Sequence, residues 1–410
     1  TNGTQNPIRV TGTSYVGALY GGVEGYGYKR NSQNASADDS RVYINPSTTG
    51  EGIYVRVNLK SGGHVAGGLI GYASGVGILF LGDWTGLDHT PVSFEGTTSF
   101  FGGIIGVLGE NATIESAMNT SNGVSVGGVT HTLRFRSTQS AFDIEVNGDF
   151  VGSIAGYIAS SAGTFLAQDT NIMGNTVKLF NNSQIKGRSF VGGIFGAIGK
   201  VASEHYVVTN GVNENIFADN YLINLIRYGS YGAQATGPNT TLRYAPSDDG
   251  GLGKVFNYSP ITASGDFAGG IVGYAGANTL LAFFNPVVSG SESNFSLNDA
   301  ASYLNVYNGY GNNPTAGDTA TIKGANFVGG IAGYLSSSAH EMTRVVSLML
   351  IKANSRGNET TFAYDGSYAG GLFGYMGGGS IQSSIATSGY SNPSASVNAF
   401  MGGEYVGGIV

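Results

Sequence analysis

A chain of 410 residues, 41% of them hydrophobic, is long enough for two or three ordinary domains or one long repeat array, and it can bury a large core. A net charge of −7 with no basic run excludes the electrostatic footprint of a nucleic-acid binder. The absence of Cys excludes disulfides, thiolate metal sites and cysteine nucleophiles, and no apolar run reaches the roughly 18 residues that open the case for a spanning helix.

Charged residues make up only 11%, less than half the usual share of about 25%, and glycine occupies 69 positions. These glycines sit at fixed places in an apolar phrase. In chain order it reads YVGALYGG from Tyr15, VAGGLIGY from Val65, FFGGIIGV from Phe100, FVGSIAGY from Phe150 and FVGGIFGA from Phe190. It continues as FAGGIVGY from Phe267, FVGGIAGY from Phe327, YAGGLFGY from Tyr368 and YVGGIV from Tyr405. Repetition of this kind sets the architecture. A second strand-like segment leads into the phrase: IRVTGTS before Tyr15, YVRVNLKSGG before Val65, FDIEVNGD before Phe150, SQIKGRS before Phe190, ITASGD before Phe267 and TIKGAN before Phe327. In FDIEVN, Phe142, Ile144 and Val146 alternate with Asp143 and Glu145. In YVRVNL, Val55, Val57 and Leu59 alternate with Arg56 and Asn58. Both are the pattern of a strand with one wet face, and the Gly-containing link then bends the chain into the phrase. The opening TNGTQNPIRV lacks the basic start and apolar run of a signal peptide.

Position one of the phrase is Phe or Tyr except at Val65. Position three is Gly in every copy: Gly17, Gly67, Gly102, Gly152, Gly192, Gly269, Gly329, Gly370 and Gly407. Position five is Ile or Leu, among them Ile104, Ile154, Ile194, Ile271, Ile331 and Leu372. Position seven is Gly in each complete copy. Position eight is often Tyr, at Tyr72, Tyr157, Tyr274, Tyr334 and Tyr375, which suits tyrosine ladders between stacked windings. Read as one straight strand, positions one, three, five and seven share a face and positions two, four, six and eight share the other. Both faces are apolar or small, as in a strand buried on both sides. Position six then points outward, so Phe195 and Phe373 are expected under insertions or at a contact with another copy. Repeated glycine implies close approach of a neighbouring backbone or ring.

The phrase returns at intervals of 50, 35, 50, 40, 77, 60, 41 and 37 residues. A solenoid tolerates unequal insertions because each turn need only stack on its neighbours, whereas a propeller prefers nearly equal blades. The expectation is an all-β, parallel β-helix (β-solenoid) over residues 1–410 with irregular loop insertions, part of a longer chain, with a β-propeller-like repeat as the alternative. Its strands fall near 15–22, 65–72, 100–107, 150–157, 190–197, 267–274, 327–334, 368–375 and 405–410, a stack on the order of 43 Å at about 4.8 Å per strand. The spacers Ser32 to Ser40, Tyr228 to Thr241 and Tyr307 to Thr319 read as polar loops, and the gap from Gly192 to Gly269 has room for a degenerate tenth winding.

FVGGIAGY and FAGGIVGY resemble the GLUG repeat of large bacterial surface and adhesin-like proteins and of the non-catalytic regions of some IgA-cleaving metallopeptidases. All nine copies carry the resemblance; the spacers do not. It implies a structural spacer or surface stalk that is bacterial, extracellular and part of a larger polypeptide.

Residues for chemistry are sparse. His64, His89, His131, His205 and His340 are isolated in sequence. HEMTR at His340 opens like a zincin helix, but Arg344 stands where the second metal-binding His belongs, and the surroundings read as strand. GGVEGYG at Gly21 lacks the Lys-Ser/Thr of a phosphate loop. Asp38 with Asp39, Asp83 with Asp88, and Asp248 with Asp249 are the carboxylates at which a glycan-active site or a structural Ca²⁺ would form. The 24 tyrosines, against a single Trp at Trp84, also suit adaptable binding loops. The sequence therefore predicts a structural or adhesive section of a bacterial cell-surface or secreted repeat protein (adhesin, stalk, surface layer or filament), with no catalytic, cofactor-binding or metal residues assigned. Expected partners are further coils of the same polypeptide, copies of the chain, or a glycan or protein receptor, and neither nucleic acid nor a membrane-spanning segment. The alternative is a glycan-binding or glycan-degrading β-helix protein.

Overall fold

The computed structural model describes residues 8–25, 41–44, 57–61, 64–80, 93–96, 98–110, 112–116, 132–135, 144–159, 178–181, 184–205, 240–244, 254–257, 259–277, 279–283, 306–308, 321–336, 340–343, 345–354, 366–382, 385–386, 400–401 and 403–410. The strands, sheets and contacts that follow belong to these residues.

The phrase makes two strands, not one. Positions one to three pair across all nine copies in a single sheet. It runs in sequence order from Tyr15–Gly17 through Val65–Gly67, Phe100–Gly102, Phe150–Gly152, Val191–Gly192, Ala268–Gly269, Val328–Gly329 and Ala369–Gly370 to Val406–Gly407. All its pairs are parallel and keep the phrase in register, so the position-three glycines form one column from Gly17 to Gly407. The rest of the phrase forms a parallel eight-stranded sheet: Tyr20–Glu24, Ile70–Ser74, Ile105–Leu108, Ala155–Ile158, Phe195–Ile198, Val272–Ala275, Ala332–Leu335 and Phe373–Met376.

Glycine makes the corner between these sheets. A Cβ on Gly269 would lie 1.9 Å from the carbonyl oxygen of Val272, and one on Gly370 1.8 Å from that of Phe373. At position four, a Cβ on Gly330 would meet the carbonyl of Gly371 at 2.2 Å. At position seven, one on Gly374 would meet that of Gly333 at 2.6 Å. Position three is thus reserved for the tight corner and position seven for backbone stacked on backbone, while position four is glycine in most copies but admits Ala18 and the buried Ser153, whose Oγ donates to the Gly193 carbonyl.

The corner reassigns the faces. In the second to seventh copies the position-one side chains, position-five Ile and Leu, position six and position eight enter one core, which includes Phe150, Ile154, Ala155 and Tyr157. Position two enters a second core with Val151, Val191, Ala268 and Val328, packed against Ile144, Ile185, Ile261, Ile322 and Ile351 of the leading strands. The nine-stranded sheet is the wall between the two cores, buried on both faces as its composition predicts. Phe195 and Phe373 are corrected by this geometry. Both are 0% exposed within the first core, because the bend turns position six inward, and neither lies on an outer contact surface.

The leading strands form a three-stranded sheet (Ile8–Gly12, Val57–Ser61, Ser93–Gly96) and a six-stranded one (Ile144–Glu145, Ile185–Gly187, Ile261–Ala263, Thr321–Gly324, Leu350–Ala353, Phe400–Met401). Their isoleucines are buried while Glu145 is exposed and Lys186, Thr262, Lys323 and Lys352 are half-buried, the expected alternation. Further parallel sheets of three, four and six strands complete the windings. Every strand pair joins one repeat to the next, not strands within a repeat as in a propeller blade. The only antiparallel contact among the described residues is the isolated bridge between Lys200 and Ala277. The protein is all-β, with no helix among the described residues, and its stacked parallel sheets are consistent with a parallel β-helix or solenoid. The long gap adds no tenth strand to the two phrase sheets, since Val191 pairs directly with Ala268 and Phe195 with Val272. It supplies instead Thr240–Tyr244, the first strand of the four-stranded sheet, and Lys254–Asn257.

Candidate functional site

In-register parallel pairing places identical side chains over one another about 4.8 Å apart, close to ring-stacking distance. Position one exploits this. Phe100, Phe150, Phe190, Phe267, Phe327, Tyr368 and Tyr405 form one column of stacked rings with centroids 4.6 to 4.9 Å apart. Tyr274, Tyr334 and Tyr375 form a second column at 4.7 and 4.9 Å, set edge-on to the first. The tyrosine ladder expected at position eight is therefore present at these three residues. In the middle of the first column Phe190, Phe267, Phe327 and Tyr368 adopt φ of 52°, 65°, 54° and 61°. A bulky residue in this left-handed region costs on the order of 1–3 kcal/mol, which the surrounding ring stack must offset.

Stacking fixes what these rings offer. Both faces of Phe267, Phe327 and Tyr334 are covered by neighbours in the column, so only their rims are available to another group. Sugar stacking on the faces of these inner rings is excluded by that geometry.

His205, isolated in sequence, sits on those rims. Its ring centroid lies 5.1 Å from Phe267, 5.7 Å from Tyr274, 5.7 Å from Phe327 and 4.7 Å from Tyr334, at interplanar angles of 57° to 76°. Its Nδ1 is 3.1 Å from the Tyr274 hydroxyl, which also accepts a hydrogen bond from the Ala202 backbone N–H. Burial lowers the pKa of His205, opposed by the carboxylates of Glu204 and Asp266. Burial likewise holds the Tyr274 and Tyr334 hydroxyls above the usual phenol range.

A polar column lies immediately before the rings. The residue ahead of position one is polar in all nine copies: Ser14, His64, Ser99, Asp149, Ser189, Asp266, Asn326, Ser367 and Glu404. Asp149 accepts a bidentate hydrogen bond from Arg188, with side-chain exposures of 4% and 20%. Asn326 Nδ2 donates to Asp266 at 2.9 Å, and Asn326 Oδ1 accepts from the Ser367 N–H at 2.8 Å. Sequence reading missed this column, although aligning the copies one residue earlier displays it. A second buried polar line runs behind the corner, where Asn181 Nδ2 donates to Asn257 Oδ1 at 2.7 Å and Asn257 Nδ2 to the Ser259 carbonyl at 2.9 Å. It backs onto position four, where a Cβ on Gly193 would lie 2.8 Å from Asn257 Cγ.

The chain has no match among known protein families, curated proteins or solved structures.

Of the remaining histidines, His340 is fully buried at the head of the strand Glu341–Thr343, so these residues do not form a zincin helix. Burial lowers its pKa to about 4, opposed by a hydrogen bond with the Ser336 backbone. Among the described residues no group of three His, Asp or Glu side chains is placed to hold a metal ion, and no helix is long and apolar enough to cross a membrane. An open cleft of about 800 Å³ beside the first phrase is lined by Thr13, Ser14, Tyr15, Gly21, Gly22, Glu24 and Tyr72, with Glu24 its single carboxylate among those residues. His89, His131, Trp84, Asp38, Asp39, Asp83, Asp88, Asp248 and Asp249 lie outside the described residues.

Proposed function

We propose that this chain is a β-solenoid serving as a structural or adhesive section of a bacterial cell-surface or secreted repeat protein, without a catalytic role of its own. The observation that carries this reading is the continuous column of position-one rings and position-three glycines through the phrase copies. A column of that kind couples each winding to the next, as a stalk under tension requires. The polar groups at the turn satisfy one another along the same axis, Arg188 with Asp149 and Asn326 with Asp266. The likeness of the phrase to the GLUG repeat supports a bacterial, extracellular setting and further coils or copies as partners.

Single-molecule pulling between residues at the two ends of the stack tests the proposal. A stalk yields a sawtooth in which windings detach one after another at high force. A glycan array run on the same protein separates a scaffold from the glycan-binding alternative. Collapse of the whole chain at low force together with selective glycan binding would overturn the structural reading.

A further inference from the structure

Ring rims carry the positive end of the aromatic quadrupole, whereas faces carry the negative end. His205 meets rims, because the faces of Phe267, Phe327 and Tyr334 are taken by their column neighbours. A neutral imidazole offers these rims a complementary π face. An imidazolium would set a positive charge against the positive rims of Phe267, Phe327 and Tyr334, the reverse of a cation–π cage, which presents faces. The turn it belongs to is short: the His205 N–H donates to the Ala202 carbonyl at 3.0 Å, and the Ala202 N–H donates to the Tyr274 hydroxyl at 3.3 Å.

We propose that His205 is a proton-operated latch: the neutral ring pins residues 201–205 across the two aromatic columns, and protonation releases them and uncovers Tyr274 and Tyr334. The groups that face it are Glu204 on its own turn, Asp266 in the turn before Phe267, and the hydroxyls of Tyr274 and Tyr334. The two carboxylates favour the charged ring, but Glu204 is solvent-exposed and Asp266 already accepts a hydrogen bond from Asn326. Burial, the larger influence, favours the neutral one. The pinned state therefore prevails above the ordinary histidine pKa and gives way as pH falls below it. Val201, buried in the first core, marks where the loosened cover would begin. This device is independent of whether the chain is a stalk or a glycan binder.

Histidine NMR of the whole chain, with the His205 resonance assigned by its loss in His205→Phe, is combined with amide exchange from pH 8 to 4. The expected result is a His205 titration below the ordinary histidine value, with loss of protection at the His205 amide over the same range. His205→Phe keeps the flat ring without the proton and retains protection throughout. Tyr274→Phe keeps the ring column but removes the hydroxyl, and lowers protection of the His205 amide already at neutral pH. The latch is overturned if His205 titrates at or above its ordinary value with unchanged protection, if His205→Phe opens over the same pH range, or if Tyr274→Phe protects the turn as the wild type does.

Discussion

Replacing Gly269 by Ala inserts one methyl group at the corner between the two phrase sheets. That Cβ would stand 1.9 Å from the Val272 carbonyl oxygen and 2.8 Å from the Gly333 N, whereas ordinary contact begins at 3.4 Å. The Val272 carbonyl must move by roughly 1.5 Å, and both obstructing atoms are backbone, so no side chain can swing aside. The Val272 N–H bond to the Ile331 carbonyl, 3.0 Å long, lies in the displaced segment. Overpacking at the upper end of its usual range plus one weakened backbone hydrogen bond gives a loss of about 3–4 kcal/mol. The control is Gly22→Ala, where the new Cβ meets nothing within 4 Å and the change stays within about 0.5 kcal/mol. Urea unfolding followed by circular dichroism, with amide exchange at Val272 as the local probe, compares the two. Equal effects, or a Gly269→Ala loss as small as the control, would refute the corner as the reason for the glycine.

Phe267→Ala removes a ring stacked on both faces and should cost about 3–5 kcal/mol in the same assay, with exchange spreading to the neighbouring windings at Phe190 and Phe327. Arg188→Ala leaves the Asp149 carboxylate, 4% exposed, without its cation and should cost about 3 kcal/mol or more, while the double change with Asp149→Asn recovers part of that loss. The pKa of His340 is lowered by burial to about 4, so between about pH 6.5 and 4 the unfolded chain binds a proton that the folded chain does not. Stability should therefore be intact above that window and decline as pH falls through it, by up to about 3 kcal/mol, and His340→Leu should flatten this limb of the urea midpoint against pH.

The parts of the fold that depend on local pattern were legible. Nine in-register phrases follow from the repetition itself, and the alternation of Ile144 and Val146 with Glu145 placed the leading strand correctly. The corner was not, because Phe-Val-Gly-Gly-Ile-Phe reads as one unbroken apolar strand. Only the clash that a Cβ would meet at positions three and four reveals the bend that sends Phe195 inward. The tenth winding failed for a related reason. Spacer length reports how much chain is inserted, not whether it rejoins the same sheet, and the insertion after Gly192 feeds a different one. The site was half legible: Tyr274, Tyr334 and Tyr375 announce a column by their spacing, but His205 reaches it across 69 residues of sequence with no pattern to mark it.

Consecutive phrases are immediate parallel neighbours in register, even across the longest spacer. Because the chain contains no Cys, a pair introduced at Lys186 and Thr262 would report on this register without interference. These two residues are register partners on the outer face of the leading sheet, one strand apart at about 4.8 Å, inside the range a disulfide spans. Lys186 and Lys323 are two strands apart, at roughly 10 Å, beyond that range. On mild oxidation Lys186→Cys with Thr262→Cys should close rapidly within one chain while Lys186→Cys with Lys323→Cys stays reduced, as read by mass spectrometry. Preferential closure of the second pair, or closure of neither, would contradict the stacked architecture.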